Sequence, residues 1–162
     1  MDSDRALREQ LAQILDWGSA HMTIEDAVAG FPPEHMNGRP PNVPYTPWHL
    51  LEHIRRAQWD ILDFCRNPDY VEMEWPRDYW PAPTEDADES KWNRTLEAFR
   101  ADLAALKKMA LDPGVDLFAP IPHGQGQTVL RELLLVADHN AYHLGEFAIL
   151  RQVMGSWPAE HA

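Results

Sequence analysis

Two histidines four residues apart, His139 and His143, are the clearest chemical signal in the sequence. They lie inside the longest helical pattern, from about residue 129 to residue 154, where one face recurs at alternating spacings of four and three. Side chains four apart on a helix lie on one side, within reach of a single ion. Buried imidazoles are costly without partners, and a metal would be such a partner. A pair of structural histidines is the alternative, because this spacing alone is a weak signal.

The pair does not match the zinc-peptidase motif. In that motif, H-E-x-x-H, a glutamate follows the first histidine and acts as the general base. Asn140 occupies this position here. Because an amide does not take up the proton as a carboxylate would, the sequence does not predict a peptidase.

Two more histidines lie on the second predicted helix. That helix begins at Thr46 and Pro47, an N-cap followed by a proline in the first turn, and continues to about Arg66. His53 shares the apolar side of the helix, so within a bundle it can approach the pair on the last helix. His49 lies one turn earlier and could share the site, although the end of the helix offers it an easier route to water.

Three imidazoles that leave coordination positions open are typical of a catalytic metal site, in contrast to a closed structural one. Neutral imidazole binds Zn, Ni, Fe or Cu, and the sequence does not choose among them. Glu146 and His123 are the candidates for proton transfer. For His123, a structural turn histidine beside Gly124 is the alternative. The candidates for orienting the rings or holding a bound water are Asp138, Asn140, Tyr142 and Glu146.

Four amphipathic helices organise the chain, and no convincing alternating strand pattern is present. Their expected ranges are about 4–29, 46–66, 91–110 and 129–154, with Ser90 as the N-cap of the third helix and Thr128 as the N-cap of the last. A segment rich in proline and glycine follows the first helix. A long irregular segment follows the second, and we expect its aromatic side chains, between residues 70 and 80, to pack on the bundle in preference to a ligand. This pattern predicts an all-α four-helix bundle with long loops after helices 1 and 2, as a single domain over residues 1–162.

Charge and cysteine content limit the class of function. Twenty-six acidic against fourteen basic residues give a formal net charge of −12, which disfavours nucleic acid and anionic membranes as partners. The single cysteine, Cys65, rules out an internal disulfide framework and fits a reducing compartment. We interpret it as a small core residue. With no signal-peptide pattern and no apolar run long enough to span a membrane, a cytoplasmic location is expected.

The residues around the histidines resemble the DinB-like superfamily of metal-binding four-helix bundles. Two segments carry the resemblance, TPWHLLEHI at residues 46–54 and DHNAYHLGE at residues 138–146. The family pattern has one ligand histidine on the first segment and an H-x-x-x-H pair on the second. The resemblance therefore implies His53, His139 and His143 as ligands of a divalent transition metal such as Zn, Ni or Fe.

The resemblance also implies a range of activities. Some relatives resemble thiol-dependent S-transferases that use low-molecular-weight thiols such as bacillithiol or mycothiol, and others resemble metal-dependent hydrolases or isomerases. We therefore expect a metal-dependent enzyme acting on a small-molecule substrate or thiol, with thiol transfer first and hydrolysis second. The alternative is a stress-related, non-catalytic binding bundle with a structural metal. Relatives further suggest a homodimer.

Overall fold

A computed structural model describes residues 3–16, 18 and 20–158. Five α-helices form its frame: α1 (Ser3–Ile14), α2 (Ile24–Val28), α3 (Pro47–Arg66), α4 (Glu89–Leu111) and α5 (Val129–Met154). A short 3-10 turn, Pro33–His35, precedes α3. Within these described ranges the β-structure is limited to one isolated bridge, between Pro120 and Thr128. The predicted all-α class and helical bundle are confirmed.

Capping side chains fix where the long helices begin. The hydroxyls of Thr46 and Thr128 each accept a hydrogen bond from the backbone N–H three residues later, as predicted for α3 and α5. Gly155 ends α5 in the left-handed conformation, at φ 62°. The prediction of Ser90 as the cap of α4 is wrong, because the carboxylate of Asp88 caps that helix two residues earlier.

The prediction of a single helix over residues 4–29 is wrong, because the helix is interrupted between α1 and α2. Thr23 starts α2 with a capping box: its hydroxyl accepts from the backbone N–H of Asp26, whose carboxylate accepts from the backbone N–H of Thr23. Such a box satisfies the donors of a new helix start and so favours a break over continuation. Residues 17 and 19 of the expected helix lie outside the described residues.

α3 and α4 run in the same direction. Trp48 of α3 donates a hydrogen bond to Thr95 of α4 (3.3 Å). Farther along both helices, Gln58 of α3 donates to the carbonyl of Phe99 of α4 (2.8 Å), so residue numbers rise in the same direction in both. α5 runs antiparallel to both, and its C-terminal half lies beside the N-terminal half of α3. The bundle is therefore not a simple up-and-down arrangement.

A crossover segment, residues 67–88, returns the chain along the whole of α3, because parallel neighbours cannot be joined by a tight turn. Contacts along α3 follow this return in order. They are Tyr70 with Asp60, Trp80 with Arg56 and Glu85 with His49. The aromatic part of the segment is thereby carried past the middle of α3, where His53 lies.

Apolar side chains fill the bundle in two clusters. One surrounds the start of α3 and the end of α5; its members include Phe31, Trp48, Leu50, Leu51, Ile54, Trp92, Phe99 and Phe147. The other surrounds the end of α3 and the start of α5; it includes Leu11, Leu62, Leu106, Leu133 and Val136. Each such side chain contributes about 1.5–3 kcal/mol on burial, so we expect the frame to form without a bound ion. None of the helices described is both long and apolar enough to cross a membrane.

Candidate metal centre

Three imidazole rings meet between α3 and α5. Nε2 of His53 lies 3.2 Å from Nε2 of His143 and 3.3 Å from Nε2 of His139, and the His53 ring is only 2% exposed. His139 and His143 lie on one side of α5, with ring centroids 4.5 Å apart. An ion bound at about 2.0–2.1 Å in tetrahedral geometry would separate its nitrogen ligands by about 3.3 Å. The spacing of these nitrogens therefore fits a metal ion.

Hydrogen bonds on the far side of two rings fix their tautomers. Nδ1 of His53 donates to the carbonyl oxygen of Tyr79 (3.1 Å), and Nδ1 of His143 donates to Oε2 of Glu146 (2.7 Å). Carbonyl and carboxylate oxygens only accept, so each neutral ring carries its proton on Nδ1 and a lone pair on Nε2. The two Nε2 atoms face each other at 3.2 Å, and neither has a proton to donate. A cation between them would satisfy both lone pairs.

Burial favours the neutral form of two of the three rings. Burial lowers the pKa of His53 to about 4, and the hydrogen bond to Tyr79 offsets only part of this effect. Burial likewise lowers the pKa of His139 to about 4, with His143 as the next cause. Both rings are therefore neutral at pH 7, which is the form that binds a metal.

A chain of buried amides ends beside the third ring. The side-chain N–H of Gln58 donates to the carbonyl of Phe99, so the oxygen of Gln58 accepts from Nδ2 of Asn140 (2.9 Å). This direction leaves Oδ1 of Asn140 as an acceptor. Within the described part of the chain, Oδ1 of Asn140 and Nδ1 of His139 are both buried without a hydrogen-bond partner. The side chain of Asn140 nevertheless offsets part of the effect of burial on the pKa of His139, as an acceptor beside the ring would. Such an acceptor favours a proton on Nδ1 of His139, which leaves the lone pair on Nε2, toward the other two rings.

Aromatic rings of the crossover segment cover the cluster. Trp80 stacks face to face on His53, with centroids 3.9 Å apart and an interplanar angle of 6°. Tyr45 stacks in turn on Trp80, and the exposed rings of Trp75 and Tyr142 lie edge-on to His53 and His143 respectively. The expectation that these aromatics pack on the bundle is met by Trp80, although the surface that it packs on is the site itself. It is not met by Trp75, which is 65% exposed.

Glu146 lies between two polar groups of the site. It accepts from His143, and it also faces the hydroxyl of Tyr45. Burial, followed by the negative charge of Glu146, raises the pKa of Tyr45. The phenol therefore stays protonated and can donate to the carboxylate, which orients both groups.

The structure separates the remaining predicted residues from the cluster. Nε2 of His49 bonds the carbonyl of Glu85 (2.7 Å), so this ring is held by the crossover segment and does not share the site. Nε2 of His123 donates to the carbonyl of Phe64 (2.8 Å), beside a different cavity. Asp138 is exposed. Cys65 is half-buried, and burial raises its pKa to about 12, as expected for a core residue in place of a nucleophile.

The comparison with family models agrees with this geometry. The model described as the DinB superfamily matches residues 17–147, which include all three clustered histidines. The chain belongs to the DinB superfamily. Searches of curated proteins and of solved structures found no match to it.

Three contributors to this DinB-superfamily site were not predicted individually: the carbonyl of Tyr79, the ring of Trp80 and the hydroxyl of Tyr45. A backbone carbonyl carries no residue-type signal at all. For Tyr79 and Trp80 the only available signal was the length and aromatic content of the segment after α3, which is uncommon for a loop without a function.

Proposed function

We propose that this protein is a metal-dependent enzyme in which His53, His139 and His143 hold one divalent transition metal. The observation that carries the proposal is the convergence of their Nε2 atoms, with the Nδ1 atoms of His53 and His143 already committed to Tyr79 and Glu146. A structural zinc site is closed by four protein ligands. Three clustered histidines supply one fewer, which supports an open, catalytic type of site.

The proposed reaction is the transfer of a small thiol to an electrophilic substrate. A divalent ion in this site would lower the pKa of a thiol or water ligand and so supply a nucleophile near neutral pH. The protein's own contribution is to hold three neutral imidazoles in place and to exclude water on the side covered by Trp80.

Glu146 is the proposed proton acceptor. Its Oε2 is occupied by Nδ1–H of His143, which leaves Oε1 to take a proton from the nucleophile. The Tyr45 hydroxyl would orient the carboxylate during this step. His123, the second candidate, lies outside the histidine cluster, and we therefore assign the proton transfer to Glu146.

A screen of electrophiles with the metal-loaded protein tests the proposal. Turnover is expected only when a small thiol is added, with loss of turnover in His53→Ala and retention in His49→Ala. Hydrolysis of an ester or amide without thiol would reject the transferase reaction and favour the hydrolase alternative.

The rival from another class is a non-catalytic binding bundle with a structural metal. It predicts that removal of the metal lowers the melting temperature, whereas no thiol, ester or amide is turned over. Absence of turnover across the whole screen, together with a metal-dependent melting temperature, would favour this rival.

We also propose that the protein is a homodimer. Supporting this, the side chains of Leu134, Tyr142, Ile149 and Val153 are exposed along one face of α5. Light scattering after gel filtration would give twice the mass of the chain, and Ile149→Lys would shift it toward the monomer. A wild-type protein that is monomeric at high concentration would reject the dimer.

A further inference from the structure

A second cavity lies in the same groove between α3 and α5, two helical turns from the histidines. Its volume is about 460 Å³, within the range of small-molecule sites. Asp60 of α3 and Glu132 of α5 lie on its walls, each seven residues from a clustered histidine, His53 and His139 respectively. Seven residues of helix span about 10 Å.

Several hydrogen-bond acceptors line this cavity, beside the guanidinium of Arg131 at its rim. The hydroxyls of Tyr70 and Tyr79 each donate their single proton to Asp60, at 2.9 and 2.6 Å. Their oxygens can therefore only accept from a ligand. Nε2–H of His123 is committed to the carbonyl of Phe64, so the neutral ring offers only the Nδ1 lone pair. Burial, and then the bond to Asp60, raise the pKa of both tyrosines, which keeps their hydroxyls in this donating state.

Glu132 adds a buried negative charge with incomplete compensation. The residue is 2% exposed, and its Oε1 pairs with Arg131, whose side chain is 58% exposed. The described residues give its second oxygen, Oε2, no donor, and this oxygen is open to the cavity instead of fully enclosed. A buried carboxylate is costly unless it is paired and hydrogen-bonded. A ligand with N–H donors and a positive charge would supply what the chain does not.

We propose that this cavity binds the ammonium end of a small organic cation. The tyrosine oxygens and Oε2 of Glu132 accept its N–H groups, and the rings of Phe64 and Tyr70 lie beside it. If the proposed function holds, the same molecule reaches about 10 Å along the groove to the histidines, so the substrate or thiol carries an amine at that distance from its reacting atom.

A titration of the zinc-loaded, full-length protein with n-butylammonium at pH 7 tests the site by amide chemical shifts. Saturable shifts are expected at cavity residues such as Ile61, Gln125 and Gln127. Matched n-butanol and butyrate should give none. Glu132→Gln, which keeps the shape and removes the charge, should raise Kd about tenfold or more, since hydrogen bonds to charged groups contribute that much. Glu132→Asp should restore part of the binding.

The matched control is Glu97→Gln, an exposed glutamate of α4 that should leave Kd unchanged. Equal binding of butanol and butylammonium by the wild type would overturn the inference without reference to any variant, as would shifts confined to residues around the histidines. Cation binding without turnover would reject the proposed function and leave this site standing. Turnover without cation binding would reject this site and leave the proposed function standing.

Discussion

Glu52 and His53 are neighbours in α3, both are buried (8% and 2% exposed), and their surroundings are opposite in kind. Glu52 faces α4, where it accepts a hydrogen bond from Thr95, and it also accepts from Arg55 and Arg56 of its own helix. Every strong donor that this carboxylate needs is supplied by the chain. His53 faces α5, where its Nε2 lies against two more histidine nitrogens.

The contrast separates a structural polar cluster from one that needs a ligand. Buried polar groups are almost always hydrogen-bonded, so a closed network such as that of Glu52 explains itself. Three converging lone pairs have no such explanation within the chain. Burial alone therefore does not indicate function; the balance of donors and acceptors does.

The first prediction concerns Glu52, whose hydrogen bonds are all supplied by the chain. Burial raises the pKa of Glu52, but the hydrogen bonds from Arg55 and Arg56 outweigh it and hold the pKa below its usual range. Glu52→Ala should lower the free energy of unfolding by about 3 kcal/mol, because it leaves two half-buried guanidinium groups without their carboxylate. Chemical denaturation measures this loss.

The exposed Glu97 provides the control, since Glu97→Ala should change the free energy of unfolding by no more than about 0.5 kcal/mol. Metal affinity should survive in Glu52→Ala molecules that remain folded. Equal stability of the two variants would contradict the structural role assigned to Glu52.

The second prediction concerns the histidine cluster, whose lone pairs have no donor within the described chain. Glu146→Ala removes the acceptor that holds Nδ1 of His143, so metal affinity should fall about 10- to 100-fold, as is typical for partners of metal ligands. The free energy of unfolding of the metal-free protein should change little. Isothermal titration with zinc measures the affinity, and the exposed Asp138→Ala serves as the control. An unchanged affinity in Glu146→Ala would mean that the carboxylate does not support the site.

The third and smallest effect is a pH dependence of the metal-free protein. His53 and His139 have pKa values of about 4 in the folded state, against 6.5 as the ordinary value. Between these values the unfolded chain binds more protons, so the stability present above pH 6.5 is lost as the pH falls toward 4. Denaturation at pH 7 and pH 5 should show a larger loss in the wild type than in His139→Ala. Equal losses would contradict the neutral, buried state of the rings.

Much of the frame was predictable because local signals agree with it. Thr46 with Pro47 and Thr128 with Gly155 mark the ends of α3 and α5, and apolar periodicity marks their buried faces. The break before α2 was missed although its signal, Thr23 with Asp26, is present in the sequence. Apolar spacing continued across it and outweighed the capping pattern.

The histidine cluster was predictable from helical spacing and family resemblance, whereas its surroundings were not. Tyr79 and Trp80 reach His53 only because α3 and α4 are parallel and the crossover must return along α3. That relation depends on long-range packing. The same crossover also keeps His49 out of the site, because the carbonyl of Glu85 holds the His49 ring.

Metal stoichiometry in the purified wild type and four histidine variants tests the central claim most directly. The wild type and His49→Ala should each bind about one equivalent of zinc or nickel, and His53→Ala, His139→Ala and His143→Ala should each lose it, with helical circular dichroism retained in all. Loss in His49→Ala with full binding in His53→Ala would mean that His49, and not His53, is the ligand on α3. Full binding in both His139→Ala and His143→Ala would contradict the metal centre itself.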